Sequence, residues 1–306
     1  MKALKGLLCI ILALLMVVGL LGCGAKDGNV ETEPTKETEP MKTEPEDKVT
    51  LESGVSAIQV THHDRTIYGD AYIPDAEEFP LVIFSHGYNG YKDDFISDAI
   101  FLMDEGVAAI TFTFCGSGAR DRSDFDTTQM TLFTEREDLE ALIDYAKNIK
   151  GFNGRLYLFG GSQGGMVSAM AAQTRPDDIA GLSLIFPAFS IPDDWGSRYP
   201  ENKFPDAEDI PEIIPWWGVD LGRDFAATAR DFDIYEHMAE FTKPVMIFHG
   251  TADNIVPISY SQRASETYPN CYYKTYPGAG HGFASNLMNE IDDYLLEFIQ
   301  TGAFPE

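Results

Sequence analysis

Positions 156–164 carry the sequence LYLFGGSQG, in which four apolar residues lead into a glycine-flanked serine, Ser162. A run rich in alanine, methionine and valine follows and has the composition of a buried helix. Glycines beside a serine allow the sharp strand-to-helix turn called a nucleophile elbow, which exposes the serine Oγ at the C-terminal edge of a sheet. A Gly-x-Ser-x-Gly string occurs by chance in roughly one chain in ten of this length. Its place between a strand and a helix therefore carries the prediction.

Strand-like and helix-like runs alternate on both sides of this turn. Strands are predicted at residues 55–61, 66–73, 81–85, 107–114, 155–159, 179–186, 245–249 and 272–276. Helices are predicted at residues 93–104, 134–148, 164–173, 259–268 and 284–299. This alternation is typical of an α/β domain whose mostly parallel sheet of about eight strands is covered by helices on both faces. The first two strands are expected to form an antiparallel hairpin at one edge.

A serine hydroxyl is a weak nucleophile at neutral pH, so a base must take its proton and an acid must orient that base. Two residues at predicted strand ends fit these roles. Asp253 follows one strand in the sequence Gly-Thr-Ala-Asp, and His281 follows the last strand in Gly-Ala-Gly-His-Gly. Catalytic groups gather at the C-terminal ends of parallel strands, and the order Ser, Asp, His is one that such sheets use. We predict a triad of Ser162, Asp253 and His281, with Asp193 and Asp194 as rival acids.

The loop Ser-His-Gly-Tyr-Asn-Gly at positions 85–90 ends another predicted strand. The negative charge of a tetrahedral intermediate needs hydrogen-bond donors that are already in place. The backbone N–H groups of Tyr88 and Gln163 are the predicted donors of this oxyanion hole. His86 is expected to support the loop.

Other histidines and cysteines are interpreted as structural. His62, His63 and His249 show no pairing with a zinc-ligand spacing, and no Gly-rich loop with a lysine follows a strand. Cys115 and Cys271 are interpreted as small buried hydrophobes, with a disulfide between them as the alternative. The predicted chemistry therefore needs no metal and no cofactor.

The net charge disfavours a nucleic-acid partner. The 306 residues include 49 acidic side chains against 22 lysines and arginines, which gives a formal charge of −27. A nucleic-acid binder must neutralise phosphates with lysine and arginine. The 44% hydrophobic content instead indicates a chain with a substantial buried core.

Residues 1–23 resemble the signal peptide of a bacterial lipoprotein. Lys2 and Lys5 precede an apolar stretch at 7–21 that is short for a membrane-spanning helix. The stretch ends in Leu-Leu-Gly-Cys, which resembles a lipobox, so Cys23 is the predicted site of lipidation. An ordinary signal peptide and an uncleaved anchor helix are the alternatives. The anchored protein would lie outside the cytoplasm, on the outer face of the bacterial cell membrane.

The remaining chain divides into a linker and a catalytic domain. Residues 24–50 repeat Glu, Thr and Pro with almost no apolar residue, so we predict a disordered acidic tether. The catalytic domain is predicted at 51–306. Residues 187–237 are rich in Pro, Asp and aromatic residues, show no strand alternation, and are predicted to form a cap over the active site. Trp216 and Trp217 either line an aromatic acyl pocket or pack the cap onto the core, and the second is slightly favoured.

From about residue 55 onward the chain resembles the bacterial cinnamoyl and feruloyl esterases of the α/β-hydrolase superfamily. The resemblance rests on the His-Gly-Tyr-Asn-Gly loop at 86–90, on Ser-Gln-Gly-Gly at 162–165, and on the segment 235–253 that leads to the predicted acid. Gly161 departs from the pattern, since related esterases often have histidine there.

The resemblance implies an α/β-hydrolase fold and hydrolysis of hydroxycinnamate esters of plant cell-wall polysaccharide. It implies the same triad and the same oxyanion donors that the residue pattern predicts. The substrate would be a small-molecule or oligosaccharide ester. Serine peptidases and monoacylglycerol lipases share this core and are the alternative functions. A surface binding protein without catalysis is disfavoured, because it has no need for a complete triad.

Overall fold

The computed structural model describes residues 48–118, 120, 124–198, 204 and 206–305. The predicted signal peptide with Cys23, and the predicted linker up to residue 47, lie outside the described residues. The strands are β1 Gly54–His62, β2 Arg65–Ile73, β3 Phe79–Ser85, β4 Ala108–Thr113, β5 Phe152–Gly161, β6 Gly181–Ile185, β7 Ile213–Trp216, β8 Val219–Gly222, β9 Val245–Gly250 and β10 Cys271–Tyr276. The α-helices are α1 Ile96–Asp104, α2 Leu132–Lys147, α3 Gln163–Thr174, α4 Ile191–Asp193, α5 Arg223–Ala229, α6 Ile258–Thr267 and α7 Ser285–Thr301. A π-helical turn, Asp194–Arg198, continues α4.

Eight strands form one sheet in the order β1-β2-β4-β3-β5-β6-β9-β10. The first hairpin is antiparallel, as predicted, and β2 also runs antiparallel to β4. The remaining neighbours, from β4 to β10, are parallel. The predicted fold class, an α/β-hydrolase fold with a mostly parallel eight-stranded sheet, is confirmed.

The core lies on both faces of this sheet. Every residue of β3 and β4 is buried, as expected of strands that helices cover on both sides. One apolar cluster joins the sheet to α2 and α3 through residues such as Leu139 and Val167. The other joins the opposite face to α1 and α7 through Leu102 and Phe298. The sheet is therefore held rigidly, and its C-terminal edge is a firm base for a site.

The segment between β6 and β9 contains α4, α5 and the two-stranded hairpin β7–β8. The prediction of no strand here is wrong. The hairpin pairs Trp216 with Val219, and both turn residues, Trp217 and Gly218, have positive φ angles of 41° and 91°. Two-residue hairpin turns favour such angles because they match the twist of the strands. Four-residue strands are too short to show an alternating pattern in the sequence.

The two cysteines of the described part are free thiols, so no disulfide joins them. Cys115 is fully buried, and Cys271 is partly buried. Among the described helices, none has the length and apolar character needed to cross a membrane.

Candidate active site

Ser162 lies in the tight turn between β5 and α3 and has a φ of 51° and a ψ of −119°. A positive φ is strained for a residue with a side chain, and such strain is concentrated at functional sites. Neighbouring glycines make the turn possible. A Cβ on Gly160 would lie 2.4 Å from the carbonyl oxygen of Gly164, and one on Gly164 would lie 2.1 Å from that of Ser85.

The structure brings the three predicted triad residues together. His281 Nε2 lies 3.0 Å from Ser162 Oγ, and His281 Nδ1 lies 2.8 Å from Asp253 Oδ2. The rival acids have other hydrogen-bond partners. Asp193 accepts a hydrogen bond from the Tyr260 hydroxyl at 2.6 Å, and Asp194 accepts one from the Ser190 hydroxyl at 3.1 Å.

Asp253 is held as a carboxylate by donors on both of its oxygens. Its Oδ1 accepts hydrogen bonds of 2.9 Å from the backbone N–H groups of Ile255 and Val256. Its Oδ2 faces His281 and also lies 3.2 Å from His249 Nε2. Burial would raise the pKa of Asp253, but the hydrogen bonds from His249 and His281 outweigh it and hold the pKa well below its ordinary value.

His249 is thus in contact with the predicted acid. Its ring is fully buried, Nδ1 lies 2.7 Å from Ser261 Oγ, and Nε2 lies 3.0 Å from the carbonyl oxygen of Val256. Because a carbonyl only accepts, Nε2 carries the proton and Nδ1 accepts from the serine. Sequence reasoning gave His249 no part in the site, although its position four residues before Asp253 was a usable signal.

The loop at 86–90 lies beside the elbow, since a Cβ on Gly87 would be 3.2 Å from Ser162 Cβ. His86 secures this loop, because its Nε2 accepts from the backbone N–H of Phe114 at 3.1 Å. The backbone N–H groups of Tyr88 and Gln163 have no acceptor within the described part of the chain. Both amides therefore remain able to donate to a bound group.

A buried carboxyl that the sequence did not indicate lies behind Gln163. The side-chain Nε2 of Gln163 donates a 2.7 Å hydrogen bond to Glu135 Oε2 on α2. Glu135 is 1% exposed, and burial raises its pKa to about 8, despite the opposing effect of this hydrogen bond. An acidic residue on the apolar face of a predicted helix was the available signal.

A pocket with mostly aromatic and aliphatic walls opens at Ser162. Its lining is formed by Tyr88, Ser162, Gln163, Ala188, Ser190, Ile191, Asp194, Trp195, Trp216, Trp217, Phe225, Ile255 and Val256. Trp216 and Trp217 stack with ring centroids 5.4 Å apart and an interplanar angle of 10°. Trp216 also packs on Trp195 at 4.7 Å, whereas Trp217 is 52% exposed. Trp216 thus both packs the insertion and lines the pocket, while Trp217 forms an outer wall.

The family model described as serine aminopeptidase, S33 (Hydrolase_4), matches residues 76–233, which is just over half of the chain. The chain belongs to this family of α/β-hydrolases. Among solved structures, Est1E from Butyrivibrio proteoclasticus with bound ferulic acid is similar, with a TM-score of 0.73 and 28% identity. The match covers 80% of this chain and 100% of Est1E.

Among curated proteins, the bifunctional esterase/perhydrolase DCH of Acinetobacter calcoaceticus is 23% identical, over 72% of this chain and 92% of DCH. The human monoacylglycerol lipase ABHD6 is 17% identical, over 79% of this chain and 82% of its own length. The family match and these relatives, which include esterases, confirm that the chain is a hydrolytic enzyme.

Proposed function

We propose that this hydrolase is a serine carboxylesterase that cleaves hydroxycinnamoyl (feruloyl-type) or other short or aromatic acyl esters through an acyl-enzyme. The observation that carries the proposal is the continuous hydrogen-bonded path from Ser162 through His281 to Asp253 at the mouth of an aromatic pocket.

The geometry supports the following sequence of steps. Ser162 Oγ attacks the ester carbonyl carbon while His281 Nε2, 3.0 Å away, takes the hydroxyl proton. Asp253 stays ionised and stabilises the imidazolium. The backbone N–H groups of Tyr88 and Gln163 donate to the oxyanion. His281 then protonates the leaving alcohol oxygen as the ester C–O bond breaks. In the second half, His281 takes a proton from the attacking water and returns it to Ser162 Oγ as the acyl–serine bond breaks and the acid leaves.

The acyl specificity is proposed from the pocket wall. A flat cinnamoyl ring fits against indole faces, and aromatic pairs gain energy beyond their buried area. Asp194 lies in the pocket lining beside Ser190, and its carboxylate can accept a hydrogen bond from a phenolic hydroxyl. The ferulic acid bound to the similar Est1E supports this assignment. In this proposal the insertion at 187–237 acts as the cap that forms the acyl pocket.

Aminopeptidase activity is the second candidate, because the matching family is described as serine aminopeptidase. Asp194 would then bind the positively charged amino terminus of a peptide instead of a phenol. Both functions use Ser162 and differ in the substrate that Asp194 selects.

The test is an assay of the purified protein on methyl ferulate, p-nitrophenyl acetate, a long-chain p-nitrophenyl ester and an aminoacyl anilide. We expect turnover of the first two that is lost in Ser162→Ala and kept in Ser53→Ala, an exposed serine before β1. Activity confined to the anilide or the long-chain ester would replace the esterase proposal with peptidase or lipase. The absence of activity on every one of the four substrates would refute the proposal that the protein is a serine esterase.

We also propose that lipid on Cys23 holds the enzyme on the outer face of the bacterial cell membrane. Metabolic labelling with an alkyne fatty acid should mark the wild-type chain and not Cys23→Ala. Equal labelling of both would refute the anchor.

A further inference from the structure

Two histidines and a glutamate meet at one edge of the sheet. His62 ends β1, His63 lies in the turn to β2, and Glu137 projects from α2. One ring nitrogen of each histidine and one carboxylate oxygen of Glu137 all lie within 4.8 Å of one another. Since 74 positions separate Glu137 from His63, the spacing of the sequence could not reveal this cluster.

The turn conformation is what places both imidazoles together. Successive side chains of a strand point to opposite faces, so two adjacent histidines would normally diverge. His63 instead has a φ of 53°, in the left-handed region that residues other than glycine seldom adopt. The ring centroids of His62 and His63 are consequently only 4.0 Å apart.

A second observation concerns His62 alone. Its Nε2 is buried, yet it has no hydrogen-bond partner within the described residues. Buried polar atoms in folded proteins are nearly always paired, and an exception often marks the place of an ion or water. In a neutral imidazole one ring nitrogen has a lone pair that can bind a metal ion.

We propose that His62, His63 and Glu137 bind a divalent transition-metal ion of the Zn²⁺ class. Two imidazoles and one carboxylate form a donor set that zinc uses, with ligand distances of about 2.0–2.2 Å and a further position for water. Imidazole ligands favour Zn²⁺, Cu²⁺ or Ni²⁺ over Mg²⁺ and Ca²⁺, which prefer oxygen. Around a tetrahedral ion with such bonds the ligand atoms stand about 3.3–3.6 Å apart. The three side chains, whose ligand atoms lie within 4.8 Å of one another, would therefore move closer together on binding.

The nearby arginine is compatible with the ion. Arg65 donates a 3.1 Å hydrogen bond from Nη2 to Glu137 Oε2, and its charge is balanced by Asp138 at 2.6 Å. A carboxylate has two oxygens, so Glu137 binds the metal through one and keeps Arg65 on the other. Such outer contacts orient metal ligands and strengthen their binding.

The ion would fasten the β1–β2 turn to α2. Ser162 follows β5 in the middle of the sheet, whereas this cluster lies at the β1 edge, so the ion takes no part in the ester chemistry. Its expected effect is on stability, because a ligand that binds only the folded chain raises the melting temperature.

The test is calorimetric titration of the chelator-treated full-length protein with Zn²⁺, followed by thermal melting with and without Zn²⁺. We expect one ion per wild-type chain and a raised melting temperature. His62→Ala and Glu137→Gln should each weaken binding by about tenfold or more. His237→Ala is the matched control, because His237 forms an exposed pair with Glu240 at 2.9 Å.

Several outcomes would overturn the site. They are no Zn²⁺ binding by the wild-type chain, unchanged affinity in His62→Ala, or a larger loss in His237→Ala. Binding of Mg²⁺ as tight as that of Zn²⁺ would also refute imidazole ligation. If His62→Ala unfolds, Co²⁺ absorption tests the site instead. The wild-type protein should show bands typical of nitrogen ligation that are lost in Glu137→Gln, and the absence of such bands in the wild-type protein would refute the site.

Discussion

Replacing Asp253 with asparagine turns one carboxylate oxygen into an NH₂ group, which donates hydrogen bonds and does not accept them. The two oxygens of Asp253 accept from different partners. Oδ1 accepts from the backbone N–H groups of Ile255 and Val256, and Oδ2 accepts from His281 Nδ1 and faces His249 Nε2. Asparagine has one oxygen and one NH₂ group, so only one side of this arrangement keeps its acceptor.

The asparagine oxygen should face the backbone N–H groups of Ile255 and Val256. If the NH₂ group faced Ile255 and Val256, two part-buried backbone N–H groups would lose this acceptor, at a cost of about 1 kcal/mol each. The amide oxygen therefore stays with the loop, and the NH₂ group faces His281. His281 Nδ1 must then accept, which places the proton on Nε2, the nitrogen that needs to take it from Ser162 Oγ.

The wrong tautomer should lower kcat by about 10⁴-fold, which corresponds to about 5 kcal/mol of transition-state stabilisation. KM should change little, because Asp253 does not line the pocket. The lowered pKa of Asp253 also means that its charged contacts contribute stability above its unfolded-state pKa, and this contribution is lost as the pH falls. The variant should therefore lack that acid-dependent loss of stability.

The assay is p-nitrophenyl acetate hydrolysis, with kcat and KM measured from pH 6 to 9. Asp193→Asn is the control, since Asp193 binds the Tyr260 hydroxyl and should keep near wild-type kcat. A kcat of Asp253→Asn within tenfold of the wild-type value, or an equal loss of kcat in Asp193→Asn, would contradict the orienting role of Asp253.

Three further variants test the surroundings of the site and the core. Asp98 and Asp292 are buried carboxyls in contact, and burial together with their mutual repulsion raises the pKa of Asp292. A carboxyl whose pKa is raised in the folded state lowers the free energy of unfolding as the pH rises. Asp98→Asn should therefore raise the free energy of unfolding by about 1–3 kcal/mol at pH 8 and hardly at pH 4. Urea unfolding at the two pH values measures this difference. Glu135→Ala leaves the Gln163 side chain without its acceptor and should lower kcat about tenfold at constant KM, while Glu135→Gln should restore it; equal kcat in both variants would contradict this role. Trp217→Ala should raise KM for methyl ferulate by about tenfold and leave p-nitrophenyl acetate unchanged, and an equal effect on both esters would remove it from the acyl wall.

Features encoded by neighbouring residues were predictable from the sequence. The elbow at Ser162 follows from its flanking glycines, because no other residue fits so close to the adjacent backbone. Asp253 and His281 each follow an apolar run that stops at a turn, and this pattern predicts that both lie just beyond the end of a strand. Parallel strands then bring their C-terminal ends to one edge, so the meeting of the three side chains was predictable as well.

Features that depend on contacts between distant segments were not predictable. Two such contacts join separate elements of the fold. One is the hydrogen bond from Gln163 to Glu135, and the other is the cluster of His62 with Glu137. The β7–β8 hairpin was missed because its strands are only four residues long. The sequence left two roles open for Trp216. Its ring contacts Trp195 within the insertion and also lines the pocket at Ser162, so the two roles do not exclude each other.

If the proposed mechanism is right, Ser162 carries the acyl group of an aromatic ester during turnover. The most direct measurement is acid quenching of the protein during hydrolysis of p-nitrophenyl ferulate, followed by mass spectrometry of its peptides. We expect one feruloyl group on the peptide containing Ser162, and none in Ser162→Ala. A feruloyl group on a different residue, or rapid turnover without any acylated peptide, would contradict it.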